Sequence, residues 1–197
     1  MTVLIIGAGN VATVLGRLIK AAGHDIVQVV SRSITSAQVL ATELGCSAAA
    51  NFGEMKKDAV LYIAAMSDAA LNEIKENINL GDKVIVHTAG SISKDVLKGV
   101  SSNYGVMYPL QSLSKESSCN AIKIPLLIDG NNDDSLQLIQ QLADSISPMV
   151  TVMSDDDRLK LHVAAVVTNN FTNYLYSLAY DFCNKEGIGF EIGRAHV

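Results

Sequence analysis

Apolar and polar positions alternate with two different periods along the first 153 residues. Short continuous apolar runs, typical of buried parallel strands, are separated by stretches with the spacing of amphipathic helices. The runs that predict strands are "TVLIIG", "DIVQVVS", "DAVLYIAAM", "KVIVHTAG", "YGVMYP", "IPLLIDG" and "MVTVM". Helical spacing occurs in "NVATVLGRLIKAAG", "TSAQVLATELG", "DAALNEIKENI" and "DDSLQLIQQLADSI". This alternation predicts an α/β fold with a doubly wound, mostly parallel sheet that is covered by helices on both faces.

From Ser154 the pattern changes to a single helical period that continues to Gly187. Ser154 or Asp155 can cap this helix, and Gly187 can end it. We therefore expect a first domain over residues 1–153 and the start of an all-helical domain over residues 154–197. A lone helix cannot form a second core, so we expect this helical domain to be truncated. The final "GRAHV" is either a truncation scar or an ordinary tail.

Charge and composition narrow the class of partner. The 197 residues carry a formal net charge of −5 without any dense block of lysine or arginine, so we expect no nucleic-acid partner. No charge precedes the first apolar run, unlike in a secretion signal, and no apolar run approaches the roughly 20 residues that span a bilayer. We therefore expect a cytoplasmic protein with no membrane partner. The chain has three widely spaced cysteines, Cys46, Cys119 and Cys183. Their spacing favours reduced thiols over a zinc site.

Three small residues follow the first strand and open the first helix. Gly7, Gly9 and Ala12 form the pattern G-x-G-x-x-A, in which the glycines allow a tight turn and a close approach of the backbone to a pyrophosphate. A methyltransferase would need glycine at position 11, and a P-loop would need GK[ST]. The turn therefore predicts dinucleotide binding in a Rossmann fold, although a glycine turn without a ligand is the alternative. The expected cofactor contacts are Gly7, Ala8, Gly9, Asn10 and Val11.

The end of the second strand, "VVSRS", indicates which dinucleotide binds. An NAD site typically has an acidic residue here, about 20 positions after the glycines, that binds the ribose 2′-hydroxyl. This chain instead has Ser31, Arg32 and Ser33, a guanidinium between two hydroxyls. Hydrogen bonds from arginine to phosphate are strong, so these residues favour NADP(H) over NAD(H). The alternative is that Arg32 is a solvated loop residue.

Polar residues after three further strands predict where a substrate binds. Ligands in open α/β sheets lie beyond the carboxyl ends of the strands. Asp68 follows one strand, His87 follows the next, and Tyr108 follows a third. Asp68 could instead cap a helix, and His87 could instead be a satisfied core histidine. We expect the nicotinamide ring to lie near Met66, Ser67 and Thr88.

The long C-terminal helix carries a polar stripe. At 100° per residue, the positions that share this stripe are Arg158, His162, Asn169, Asn173, Tyr176 and Tyr180. The opposite face is apolar, and Asn170 lies at the border. Uncharged hydrogen-bonding groups favour a cleft or a subunit interface over open water. One histidine among amides does not make a metal site, so we expect no metal.

Five separated stretches resemble one family: "IIGAGNVA", "VVSRS", "HTAGS", "YGVMYPLQSLSK" and "RLKLHVAAVVTNNFTNYL". The chain resembles the Rossmann-like NADP oxidoreductases whose C-terminal part is called domain of unknown function 2520. This family is related to deazaflavin-dependent NADP oxidoreductases, pyrroline-5-carboxylate reductases and ketopantoate reductases. The resemblance implies a helical second domain that makes a homodimer and closes the cofactor cleft. The family's R-x-x-x-H and N-F-x-N patterns match Arg158, His162, Asn170, Phe171 and Asn173, whereas "EIGRAHV" departs from the family pattern.

Two functions fit these residues. As an enzyme, the protein would transfer hydride between NADPH and a small carbonyl or imine, with His162 as the proton donor. Asn170 would orient the substrate, and His87 is the alternative acid. As a binding module, the protein would instead sense the redox state of NADP and signal through its helices without turnover. A purely structural Rossmann domain is a third, minor interpretation.

Overall fold

The computed structural model describes residues 1–116 and 123–189, so Cys119 and the "GRAHV" tail lie outside the described residues. The strands are β1 (Thr2–Ile6), β2 (Asp25–Val30), β3 (Ser47–Ala49), β4 (Leu61–Ala64), β5 (Gly81–His87), β6 (Ser101–Pro109), β7 (Leu126–Gly130) and β8 (Val150–Val152). The α-helices are α1 (Asn10–Ala21), α2 (Ile34–Leu44), α3 (Asp68–Asn72), α4 (Asp133–Ile146), α5 (Asp155–Val166) and α6 (Thr172–Lys185). No helix within the described ranges is both long enough and apolar enough to cross a membrane.

The strands form one sheet in the order β3-β2-β1-β4-β5-β6-β7-β8. All neighbours pair in parallel except β6 and β7, which are antiparallel. The order 3-2-1-4-5-6 is that of the Rossmann fold, and a helical region follows the sheet. The predicted fold class is confirmed. The short strand β3 was not predicted, because three residues of alanine and serine carry almost no apolar signal.

The core lies on both faces of the sheet. Alternate residues of β1 enter different clusters, with Val3 and Ile5 facing α1, α2 and α4, and Leu4 and Ile6 facing the side of α3. All four side chains are almost completely buried. Because both faces are covered, β1 is a continuous apolar run rather than an alternating pattern.

The helix predicted over "DAALNEIKENI" is shorter in the structure. Helix α3 ends at Asn72, and a separate 3₁₀ turn covers Ile74–Glu76. The apolar spacing still serves the core, since Leu71 and Ile74 are buried against it. The amide of Asn77 donates to the backbone carbonyl of Glu73 at 3.0 Å, and such side-chain bonds compete with a continuous helical ladder.

The long C-terminal helix is interrupted by a π-helical turn over Val167–Phe171. The Thr168 hydroxyl donates to the carbonyls of Ala164 and Ala165 at 3.0 and 3.2 Å, and such a bond disturbs the regular helical ladder. Ser154 is the cap, and its hydroxyl accepts the backbone N–H of Asp157. Strand β8 ends at Val152 and α5 begins at Asp155, and the division into two domains near residue 153 stays a prediction.

We expect Gly16→Ala to lower the free energy of unfolding by about 1–3 kcal/mol, through overpacking between α1 and α2. A Cβ at Gly16 would lie 2.8 Å from Cδ1 of Leu44 and 3.2 Å from Cδ1 of Ile5. Urea denaturation followed by circular dichroism measures the change. In a Leu44→Ala background the side chain that would overlap the new Cβ is removed. The same substitution should then be neutral or stabilising, because alanine is more favourable than glycine within a helix. An equal loss in both backgrounds would contradict this packing.

Candidate functional site

The turn after β1 is held tightly on one side and is open on the other. Gly7 has a φ of +119°, which side-chain-bearing residues rarely adopt, and a Cβ there would lie 2.0 Å from the carbonyl oxygen of Ala65. The N–H of Gly7 donates to the carbonyl of Val30 at 2.7 Å. A Cβ at Gly9, in contrast, would meet no atom within 4 Å. The backbone at Gly9 can therefore be approached closely by a ligand.

Helix α1 begins at this turn without a side-chain cap. Helices α2, α3, α4 and α5 each begin after a residue whose side chain accepts an N–H of the first turn: Ser33, Ser67, Asn132 and Ser154. Among the residues that the structure describes, none caps α1, and no acidic residue lies in its first turn. Unpaired N–H groups and the positive end of the helix dipole favour an anion at this position, such as the pyrophosphate of a dinucleotide.

The residues after β2 lie next to this turn. The N–H of Ser31 pairs with the carbonyl of Ala49, and the hydroxyl of Ser33 caps α2 through the N–H of Ser36 at 3.3 Å. Arg32 is exposed, and within residues 1–116 and 123–189 its guanidinium makes no hydrogen bond or ion pair. Its charge is therefore available to a ligand. Sequence reasoning did not single out Lys115, whose ammonium reaches the glycine turn.

Tyr108 and His162 meet at the carboxyl edge of the sheet. The phenol oxygen of Tyr108 lies 2.8 Å from Nδ1 of His162, and the two rings are nearly perpendicular, at 79°. Gly90 lies directly beneath them, since a Cβ there would be 2.5 Å from Nδ1 of His162 and 2.8 Å from Cζ of Tyr108. Burial raises the pKa of the Tyr108 phenol, and the charge of Arg158 opposes this shift. The phenol therefore stays protonated at neutral pH.

Arg158 fixes α5 to the loop after β5. Its guanidinium is 1% exposed and donates from Nε to the carbonyl of Gly90 at 3.3 Å and from Nη2 to the carbonyl of Ile92. Nη1 lies 2.7 Å from Oδ1 of Asp155, at an angle that makes it an ion pair rather than a hydrogen bond. The charge is therefore compensated although it is buried. His162 lies one helical turn after Arg158, so the contacts of the Arg158 guanidinium with the loop set the position of His162.

Asp155 makes further contacts with the same loop after β5. Its carboxylate accepts the hydroxyl of Ser93 at 2.5 Å and the N–H of Lys94 at 3.1 Å. The ammonium of Lys94 in turn lies 2.7 Å from the carboxylate of Asp129 in β7. Although burial opposes ionisation, the hydrogen bond from Ser93 and the ion pair with Arg158 hold the pKa of Asp155 below its usual value. The start of α5 is thus bound to the loop after β5 and, through Lys94, to strand β7.

His87 lies beneath the same loop and is completely buried. Burial, and then the charge of Arg158, lower the pKa of His87 from 6.5 to about 4. Its Nδ1 accepts the N–H of Ala89 at 3.2 Å, so the proton of the neutral ring is on Nε2, which has no hydrogen-bond partner in the described part of the chain. A neutral, inaccessible imidazole is a poor proton donor. The structure therefore favours His162 over His87 as the acid.

The other predicted site residues lie along the same edge of the sheet. Ser67 caps α3 rather than standing free, while Met66 is half-buried and Thr88 is buried. Asp68 does not cap α3, and its carboxylate accepts the hydroxyl of Ser91 at 3.0 Å.

Asn170 is exposed in the π-helical turn, and its neighbour Asn169 contacts the sheet domain instead, donating to the hydroxyl of Ser112 at 2.5 Å. On the 100° spacing of the sequence Asn169 shares the stripe of His162, and the role of Asn170 in orienting a substrate stays a prediction.

Much of the opposite face of the C-terminal helices is apolar and exposed: Val163, Val167, Phe171, Leu175, Leu178 and Phe182. Exposed apolar surface on this scale is typical of an interface, and the homodimer stays a prediction. No group of three His, Cys, Asp or Glu side chains in the described ranges is arranged to hold a metal ion.

The strand order and the uncapped glycine turn define a Rossmann-like α/β domain followed by helices. The sequence profile of the Rossmann-like domain matches residues 1–111, and that of the domain of unknown function DUF2520 matches residues 124–195. The chain belongs to this family of Rossmann-like proteins with a DUF2520 region, as its resemblance predicted. No curated protein sequence matches the chain.

Solved structures show the same fold. A candidate NADP oxidoreductase from Bacteroides fragilis is 34% identical, with a TM-score of 0.87 over 95% of this chain and 73% of its own. A 1-pyrroline-5-carboxylate reductase from Streptococcus pyogenes is 15% identical, with a TM-score of 0.65 over 98% of this chain and 82% of its own. An imine reductase from Myxococcus stipitatus, solved with NADP+, is 15% identical, with a TM-score of 0.68 over 96% of this chain and 68% of its own.

We expect the stability of the protein to fall by about 3 kcal/mol between pH 7 and pH 4 because of His87 alone. The unfolded chain binds a proton near pH 6.5 and the folded chain only near pH 4, so the unfolded state binds more protons in this window. Urea denaturation at several pH values gives the free energy of unfolding of wild type and of His87→Leu. The contribution of His87 is the difference between the two slopes of this free energy against pH. The same pH dependence in both proteins would contradict the burial of a neutral His87.

Proposed function

We propose that the protein is an NADP(H)-dependent oxidoreductase that transfers hydride between NADPH and a small carbonyl or imine compound. The observation that carries this proposal is the open, uncapped start of α1 at Gly9, together with the exposed guanidinium of Arg32, which pairs with no residue in the described part of the chain. The similarity to a candidate NADP oxidoreductase and to reductases of imine-containing compounds supports the same reaction class.

The residues of this chain suit the cofactor. The N–H groups at the start of α1, with Gly7, Ala8, Gly9, Asn10 and Val11, would hold the pyrophosphate, and Arg32 with the hydroxyls of Ser31 and Ser33 would hold the 2′-phosphate. The nicotinamide would lie near Met66, Ser67 and Thr88, where bound NADPH supplies a hydride. The substrate would then lie between this edge and α5, as ligands do in open α/β sheets.

Reduction of a carbonyl or imine also needs a proton, which we assign to the pair of His162 and Tyr108. Tyr108 engages Nδ1 of His162, which leaves Nε2 of the ring to donate to the developing oxyanion or amine. Arg158 and Gly90 would hold the pair in place from below, and Asn169 would contact the substrate from the same helical face.

We expect Arg32→Glu to change the cofactor that the protein prefers. The wild type should bind NADPH tightly and NADH more weakly, because only NADPH carries the 2′-phosphate. The variant should lose at least about tenfold in NADPH affinity, since a charged hydrogen bond is replaced by repulsion, and should gain relative preference for NADH. Titrations that follow the fluorescence of NADPH and of NADH measure the two affinities. Equal, weak binding of both cofactors by the wild type would overturn the proposal.

We expect His162→Ala to lower kcat by roughly 10²–10⁴-fold, the usual contribution of a general acid, and to change NADPH affinity by less than about twofold. The assay first screens carbonyl and imine compounds for NADPH oxidation at 340 nm and then compares the variants on the compound that reacts. Tyr108→Phe should cause a smaller loss, because it keeps the ring and removes only the hydroxyl. Loss of cofactor binding in His162→Ala would contradict its role, and no oxidation by the wild type would favour a redox sensor.

A further inference from the structure

Lys115 lies over the glycine turn although 107 residues separate it from Ala8 in sequence. Its Nζ donates to the carbonyl of Ala8 at 3.0 Å, between the two glycines of the turn. This bond uses one of the three N–H donors of an ammonium, so two remain for another acceptor. A positive charge therefore stands at the edge of the open backbone at Gly9.

The backbone of Lys115 is fixed in this position. Its carbonyl accepts a hydrogen bond from Nη1 of Arg17 at 2.6 Å, and the guanidinium of Arg17 is also paired with the carboxylate of Glu43 in α2. Lys115 is thus tied to both α1 and α2. Because Glu43 is engaged by Arg17, the nearest carboxylate of α2 is already paired with another cation.

An open groove of about 320 Å³ connects Lys115 to the start of α2. Lys115 and Ala8 line one part of it, and Thr35 and Ser36, in the first turn of α2, line another. The hydroxyls of Ser36 and Ser33 lie 3.0 Å apart, directly after Arg32 in the chain. The groove therefore runs from the glycine turn to the first turn of α2. Its described lining presents the ammonium of Lys115, hydroxyls and the ion pair of Arg17 with Glu43, and no carboxylate without a partner.

We propose that Lys115 is a second cation for the 2′-phosphate of NADP(H), opposite Arg32, and that it contributes to the choice of NADP(H) over NAD(H). This assignment rests on the proposed function. Its independent support is the groove, which brings Lys115 to the first turn of α2 rather than only to the pyrophosphate turn. An ammonium is a flexible point charge, so it can bind a phosphate without the fixed geometry that a guanidinium requires.

The test measures the dissociation constants of NADPH and NADH for wild type, Lys115→Met, Lys115→Arg and Lys20→Met by NADPH and NADH fluorescence. Lys20→Met is the matched control, because it removes the same charge from a lysine whose Nζ contacts the carbonyl of Glu43 instead of the glycine turn. We expect Lys115→Met to weaken NADPH binding about tenfold and to change NADH binding less than twofold. Lys115→Arg should recover most of the loss, and Lys20→Met should leave both constants unchanged.

The outcomes separate this assignment from the proposed function. If Lys115→Met lost the same affinity for NADPH and for NADH, the ammonium would bind the pyrophosphate that both cofactors share. That result would overturn its role in selectivity. No change for either cofactor would make Lys115 a purely structural contact and also overturn it, while a loss of NADPH affinity in Arg32→Glu would leave the proposed function standing. No binding of either cofactor by the wild type would overturn both.

Discussion

The buried guanidinium of Arg158 is the interaction on which the arrangement of the site depends. A charge removed from water is costly unless it is fully paired, and here one carboxylate and two backbone carbonyls compensate it. The carbonyls belong to the loop after β5, and the carboxylate of Asp155 binds the same loop two residues further on. The described part of α6, in contrast, has no buried residue. The helical segment is therefore held to the sheet at its first turns, and the position of His162 follows from that attachment.

The charge of Arg158 also affects the pKa values of two side chains near it. Burial, and then the charge of Arg158, lower the pKa of His87 to about 4, so His87 stays neutral beneath the loop at neutral pH. Arg158 also limits the rise in the pKa of Tyr108 that burial produces. In the proposed reaction the proton comes from the pair of Tyr108 and His162, which is half-buried rather than sealed inside the core. In the proposed reaction, Arg158 therefore influences the proton donors through the pKa values of its neighbours.

The sequence predicted the parts of the molecule that depend on local rules. Seven of the eight strands and the dinucleotide turn follow from apolar runs and from glycine spacing, because both are determined within a few residues. It did not predict the partner of His162, since Tyr108 is 54 positions away, or the ammonium of Lys115 over the turn. It placed Asn169 on the same stripe as His162 and matched Asn170 to the family pattern N-F-x-N, but it did not predict the contact of Asn169 with Ser112, which arises only when the helix packs on the sheet. Long-range contacts therefore set the positions of Tyr108, His162 and Lys115, whereas local sequence sets the glycine turn.

Gly90 links the proposed substrate and cofactor sides of the site. Its carbonyl is held by Arg158, while its Cα faces the rings of His162 and Tyr108 so closely that any side chain would overlap them. The loop that contains it begins with Thr88, at the carboxyl end of β5, where the nicotinamide is proposed to lie. A shift of this loop would therefore move the proton-donating pair relative to the cofactor edge. Because the proposed reaction delivers hydride and proton to adjacent atoms of one substrate, the absence of a side chain at Gly90 and the buried charge of Arg158 would serve the same requirement of fixed distance.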